Sequence, residues 1–233
     1  EGNLIYGGGQ VVKNAAGFDL PKLMVSSLGR FGMLVELTFK VFPKPEAYAS
    51  LRLEVPRLED ALEALYRLSV SPLDLHAIEI VPSGEGAILW VRLAGLSSAM
   101  PSRLDGLRSH LGNGEIVQGR DEGQFWHEMT DFTWVPQGWS LVKVPLTPKR
   151  IPSLEASLEN LDCLRRYSGG GQLAWIALPQ GTGALDEILL GEGLSGLVLR
   201  GSAETFSLGV RNGNVFAQRV KAALDPVSRF LEI

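Results

Sequence analysis

Three histidines, His76, His110 and His127, are the obvious candidates for acid–base work in this chain, and none stands at ligand spacing with another His, Cys or carboxylate. Each has an ordinary reading: His76 as a strand-edge residue, His110 as a helix C-terminal residue favoured by the macrodipole, and His127 as a packed or half-exposed helix residue. The sequence carries no G-x-S-x-G elbow, no P-loop and no G-x-G-x-x-G entering a helix. Ser168-Gly169-Gly170-Gly171-Gln172 reads as a flexible helix-to-strand connection in which glycine supplies positive φ. Trp90, Trp126, Trp134, Trp139 and Trp175 read as core or interface anchors rather than stacking platforms.

Glycines and short hydroxyl side chains concentrate at the start of the chain. Gly7-Gly8-Gly9-Gln10-Val11-Val12-Lys13-Asn14-Ala15-Ala16-Gly17-Phe18-Asp19 is followed by Leu23-Met24-Val25-Ser26-Ser27-Leu28-Gly29-Arg30-Phe31-Gly32. Loops of this composition let backbone N–H groups approach a pyrophosphate without Cβ obstruction, and successive N–H groups form an anion nest. Glycine content alone favours the plainer reading, a set of tight β-connections.

The elements that would position such loops are legible from periodicity. Met33 to Phe42 begins as an apolar run and then alternates, which predicts a strand with one buried face. Phe42-Pro43-Lys44-Pro45 reads as a linker. Beyond it, Ser50 to Val55 predicts a strand and Leu58 to Leu68 an amphipathic helix. Leu75 to Val81 and Ala87 to Leu93, divided by Pro82-Ser83-Gly84-Glu85-Gly86, predict a hairpin. Helices are expected over Pro101 to Leu111 and Glu122 to Met129. The second half roughly repeats this order, with strands at Leu141 to Val144, Gln172 to Leu178 and Gly196 to Leu199. Helices there are expected at Ile151 to Leu161 and Ala184 to Leu190, and a last one at Val215 to Leu224 is stopped by Asp225-Pro226. This order predicts an α+β arrangement, an antiparallel sheet with helices packed on one face.

Bulk properties narrow the partners. The 233 residues hold 22 basic and 26 acidic side chains, for a net charge of -4, with no basic block to neutralise a run of phosphates. Nucleic acid is not an expected partner. The single cysteine, Cys163, can form neither an internal disulfide nor a thiolate cluster, which suits a reducing cytoplasm. No apolar run approaches the ~20 residues that span a bilayer, so no transmembrane segment is expected.

The order of residues in the glycine-rich region carries more information than its composition. Val12-Lys13-Asn14-Ala15-Ala16-Gly17-Phe18-Asp19, then Leu23-Met24, Ser27-Leu28-Gly29 and Gly32, resembles the V-K-N-x-A-G-[YF]-D … L-M-x-x-S-L-G-x-x-G segment of glycolate oxidase flavin subunits. Those subunits are FAD-linked oxidases of the vanillyl-alcohol-oxidase (PCMH-type) superfamily. The match runs on through Glu36 and Lys40 to the Pro43-Lys44-Pro45 linker. Arg219-Val220-Lys221-Ala222-Ala223-Leu224-Asp225-Pro226 resembles the family's R-x-K-x-x-[FL]-D-P. Ser26 stands where relatives commonly carry glycine, and Phe230-Leu231-Glu232-Ile233 replaces their N-P-G.

The resemblance implies a fold and a cofactor. Residues 1–45 would be the C-terminal remnant of a PCMH-type FAD-binding subdomain, and residues 46–233 an α+β cap domain. Gly17, Ser27, Leu28, Gly29, Gly32 and Met33 would line FAD, and Asn14 and Asp19 would either join them or brace the turn through Asx hydrogen bonds. In the family a further glycine-rich loop precedes this segment. The chain by itself is therefore expected to bind FAD weakly or not at all. The implied activity is oxidation of a small 2-hydroxy acid such as glycolate, with electrons passed to a second flavin subunit and an iron–sulfur subunit. Its expected setting is the cytoplasm, with any membrane contact peripheral and made through those partners. An arginine such as Arg200 or Arg211 could clamp the substrate carboxylate, though the sequence selects neither, and no catalytic residue is assigned. The alternative is a non-catalytic assembly or electron-relay module, with Phe125 to Trp139 either packing the cap or serving as a docking surface.

Overall fold

The computed structural model describes residues 4–8, 19–25, 27–112, 114–179, 181–201, 206–211 and 213–231. The chain divides into two compact units, one formed by residues 1–43 with 212–233 and the other by residues 44–211. The C-terminal helix thus groups with the opening segment.

Within the first unit, α1 (Leu20–Met24) is a single short helix. Asp19 starts it, its carboxylate accepting the Lys22 N–H at 3.0 Å, and Pro21 fits the first turn, where no N–H is needed. Among the described residues, the unit's other helix is α7 (Asn214–Leu224). The strand expected over Met33 to Phe42 does not form, and the side chains of Met33, Val35, Phe39, Val41 and Phe42 are exposed. Alternation specifies which side chains share a face, but a strand takes its hydrogen bonds from a neighbour. No described strand pairs with this segment.

The second unit is built on a sheet of described strands in the order β4-β1-β3-β2-β6-β7-β5-β8-β9, antiparallel at each pairing. Its first half runs β1 (Ala47–Val55), α2 (Leu58–Ser69), β2 (Ala77–Ser83), β3 (Gly86–Gly95), α3 (Met100–Leu111) and β4 (Glu115–Gln118), after which comes α4 (Gly119–Asp131). The second half runs β5 (Ser140–Pro145), α5 (Ile151–Leu158), β6 (Leu164–Ser168), β7 (Leu173–Leu178), α6 (Gly183–Gly191) and β8 (Ser195–Arg200), with β9 (Ser207–Gly209) on the edge. Each half is a βαββαβ, ferredoxin-like unit. They join edge to edge through β2 and β6, where the ladder pairs only Glu79 with Ser168 and Ile80 with Tyr167. β4, β6 and β9 were not anticipated from the sequence. The Ser168–Gln172 glycines, expected between a helix and a strand, instead close the β6–β7 hairpin, with φ of +60°, +66° and +77° at Gly169, Gly170 and Gly171.

Period-two alternation gives this sheet two different faces. Leu51, Leu89, Val91, Val142 and Ile176 point to one face and are buried under α2, α3, α5 and α6, which contribute Leu65, Leu107, Leu154 and Leu185. Each of those leucines adds roughly 2 kcal/mol of burial. The other face carries Ser50, Trp90, Arg92, Glu79, Arg166, Ser168, Lys143 and Trp175, and α4 lies on its first half. Glu122 fastens α4 there, accepting from Arg92 Nε at 2.7 Å, Arg92 Nη2 at 3.2 Å and Ser50 Oγ at 3.1 Å, while Trp126 Nε1 donates to Ser50 Oγ at 2.8 Å. The Arg92 guanidinium also lies 4.1 Å from the centre of the Tyr48 ring. Both ions are therefore satisfied despite burial. Removing one partner from such a pair leaves an uncompensated buried charge, so Glu122→Ala is predicted to cost about 3–5 kcal/mol. A lowered urea midpoint at unchanged m-value would check this.

Candidate functional site

Of the residues expected to line a cofactor, Ser27, Leu28 and Gly29 form one turn, closed by the Arg30 N–H donating to Ser27 O at 3.1 Å. Both central residues have positive φ, 53° at Leu28 and 73° at Gly29, as in a primed type I turn. Glycine adopts that geometry without strain, whereas Leu28 does so at a cost of roughly 1 kcal/mol. A Cβ placed on Gly29 would meet nothing within 4 Å, so the backbone there is open to close approach. Gly32 packs near Met24, and Met33 is exposed. Asp19 caps α1, while Asn14, Gly17 and Ser26 lie outside the described residues.

The turn is held by two residues of the Arg219–Pro226 motif. Lys221 and Asp225, four residues apart at the end of α7, form a buried ion pair. The Lys221 ammonium also donates to Arg30 O at 3.0 Å and Phe230 O at 2.9 Å. Asp225 accepts the Arg229 and Phe230 N–H groups, each at 2.9 Å. The hydrogen bond from Lys221 holds the Asp225 carboxyl below the usual range, at about 2. This clasp ties the R-x-K-x-x-[FL]-D-P motif to the S-L-G motif, fixing the carbonyl that ends the turn.

In the second unit, the polar sheet face around the β2–β6 seam holds a separate cluster. Glu79 is buried, and its Oε2 accepts the Ser168 hydroxyl at 2.7 Å; Ser168 Oγ in turn accepts the Trp175 Nε1–H at 2.8 Å. Arg166 lies 4.7 Å over the Trp134 ring and donates to Met129 Sδ at 2.9 Å. Burial pushes the Glu79 carboxyl up from 4.5 to about 7, outweighing the Ser168 hydrogen bond and the attraction of Arg166. The Phe125–Trp139 stretch packs onto this same face: Trp126 is buried, Phe132 meets Trp175 edge-on at 4.8 Å, and Val135 joins Leu141 and Ala177 in a small apolar cluster.

The remaining candidates have structural partners or exposed positions. Arg211 pairs with Asp186 at 3.0 Å, and Arg200 is exposed. His76 precedes β2 and meets Tyr48 edge-on, His110 contacts Gly106 O in the last turn of α3, and His127 pairs with Asp131 at 3.2 Å. No cluster of metal-ligating side chains occurs among the described residues. No described helix is long and apolar enough to cross a membrane.

No protein-family profile matches the chain. Two structures of alkyldihydroxyacetonephosphate synthase share its fold, with TM-scores of 0.58 and 0.53 at 12% identity, covering 92% of this chain and 49% and 47% of theirs. Shorter alignments reach a D-lactate dehydrogenase of Anaerostipes hadrus, at 32% identity over 80 residues, covering 34% of this chain and 17% of that protein. Another reaches the glycolate oxidase subunit GlcD of Bacillus subtilis, at 32% over 82 residues, covering 35% and 16%. A longer sequence match accompanies these partial ones. Along nearly its whole length the chain is similar to the glycolate oxidase subunit GlcE of Escherichia coli K12, at 30% identity over 227 residues, covering 96% of this chain and 59% of that protein. The open Gly29 backbone in a turn with positive φ fits contact with the diphosphate of a flavin dinucleotide.

Glu79 makes the stability of the second unit depend on pH, and the sign follows from linkage. Its folded pKa lies above the unfolded value, so the native state binds the proton more tightly. The stabilisation is complete below pH 4.5 and is lost as pH rises through about 7. At roughly 1.4 kcal/mol per unit the loss is at most about 3 kcal/mol. Urea unfolding at pH 5 and pH 8 is predicted to show this fall in the wild type and not in Glu79→Gln.

Proposed function

We propose that this chain forms part of an FAD-dependent oxidoreductase subunit acting in the oxidation of a small 2-hydroxy acid such as glycolate. The alignment with GlcE over 96% of the chain carries the reading, and the chain spans 59% of that relative's length. Residues 1–45 supply one wall of the flavin site, in which Gly17, Ser27, Leu28, Gly29, Gly32 and Met33 lie along the cofactor. The Ser27–Arg30 turn presents its backbone to the diphosphate, and the Lys221–Asp225 clasp keeps that turn from relaxing. Residues 46–211 serve as the cap. Bound FAD would accept the hydride equivalent that leaves the substrate carbon; the protein's part is to orient the two and to shape the electrostatics around them. Electrons then pass to a second flavin subunit and an iron–sulfur subunit in a cytoplasmic complex whose membrane contact is peripheral.

The test uses the complete subunit containing this chain, purified with its bound flavin. Anaerobic addition of glycolate is predicted to bleach the oxidised flavin band. Lys221→Met, which unties the turn, is predicted to lower flavin occupancy by about tenfold, on the scale of a lost charge-assisted hydrogen-bond network. An unbleached flavin in the complete, flavin-loaded subunit would contradict the reading.

A further inference from the structure

The register of the second half brings two cations onto one row. Lys143 on β5 is the cross-strand partner of Trp175 on β7, and Trp175 is the partner of Arg166 on β6. Neighbouring strands stand about 4.8 Å apart, so the two cationic side chains rise on either side of one indole, separated at their bases by roughly 10 Å. Arg166 and Lys143 are both half-buried, and neither makes an ion pair among the described residues. The hydrogen bond described for the Arg166 guanidinium goes to a thioether, a weak acceptor, which leaves the rest of its donor fork without a carboxylate. The Lys143 ammonium lies 6.0 Å from the Trp175 ring centre.

Two further groups complete the row. Ser168 follows Arg166 by two residues on the same face, and its cross-strand partner across the seam is Glu79. Phe132 ends α4 in a left-handed conformation, with φ of 56°, and lies against Trp175. Non-glycine residues held in that region cluster at ligand sites, because the surrounding structure must maintain the strain. Arg166 on β6 is the charge that acts on Glu79, and Arg166 is itself attracted by both Glu79 and Glu128 of α4; on β3, Arg92 is occupied by Glu122.

We propose that Arg166, Trp175 and Lys143, together with Glu79 and Ser168, form a binding site for a small carboxylate anion. Arg166 supplies bidentate donors to the carboxylate, Lys143 a second cation across the indole, and Glu79 and Ser168 polar contacts for a hydroxyl on the adjacent carbon. Only the hydroxyl contact rests on the 2-hydroxy-acid reading; the carboxylate contact stands on the row itself. Glu79 sets the pH range. While its carboxyl is protonated it does not repel the ligand, and once ionised it does.

Titration of the whole chain with sodium glycolate, followed by calorimetry and by the fluorescence of the site tryptophans, tests the site without flavin. Saturable binding is expected, with affinity falling about tenfold from pH 6 to pH 8 as the Glu79 proton is lost. In Glu79→Gln the affinity is expected to be independent of pH. Arg166→Gln is expected to weaken binding at least tenfold and Arg166→Lys less, with thermal melting confirming that both fold. Arg67→Gln, which removes an equal charge on the exposed face of α2, is expected to bind as the wild type does. Acetate binding more weakly than glycolate supports the hydroxyl contact, and equal affinity removes that contact. No saturable binding of either acid, or sulfate binding as tightly as both, overturns the site. That outcome does not touch flavin bleaching in the complete subunit, so the two readings fail separately.

Discussion

The sheet of the second unit is continuous only because β2 and β6 pair, and they pair through two residue couples. Glu79 faces Ser168 on the polar side of that seam, and Ile80 faces Tyr167 on the apolar side. Ile80 and Tyr167 are wholly buried, so the apolar side is closed by packing. The polar side is closed by a chain of hydrogen bonds running from the Trp175 indole to Ser168 and on to Glu79. A carboxylate at such a position has either to find a cation in contact or to keep its proton. Arg166 attracts it without forming an ion pair, and desolvation outweighs that attraction and the Ser168 hydrogen bond together, so the carboxyl is pushed up.

The two faces divide the labour of the fold. One buries leucines under helices and supplies the stability; the other carries ionisable and aromatic side chains in fixed rows. Glu122 and Arg92 use the first half of that face to anchor α4, Arg92 donating through Nε and Nη2 to the two Glu122 carboxylate oxygens. The second half differs because its cations lack such partners. In the first unit the same physics works at smaller scale, where a buried lysine draws Asp225, Phe230 O and Arg30 O together. That contact makes two distant motifs one feature.

Much of the second unit was legible because its elements are local. The alternation of Leu51, Leu53 and Val55 and the helical spacing of Ala61, Leu65 and Leu68 each point to an element without knowledge of its neighbours. β6 escaped notice because adjacent arginines break the expected pattern. They are tolerated because Arg165 pairs with Glu155 on the helical side while Arg166 stacks on Trp134 on the other. β4 and β9 are edge strands of four and three residues, too short for periodicity to register. The stretch from Met33 to Phe42 failed for the opposite reason, since its pattern is clear but pairing is not a local property. Glu79 reads in sequence as the wet residue between Ile78 and Ile80. Its burial depends on Ser168, 89 positions away, and on the segment after α4. The clasp was hidden in the same manner, because Lys221 reaches a carbonyl 191 residues earlier.

The seam and the row of cations beside it both depend on Glu79 keeping its proton up to a pH of about 7. Infrared difference spectra between wild type and Glu79→Gln, collected across pH 5 to pH 9, observe that proton directly through the carbonyl stretch of a protonated carboxyl. The predicted result is a band present at pH 6 that disappears with a midpoint near 7. A carboxylate already ionised at pH 5.5 would contradict the account.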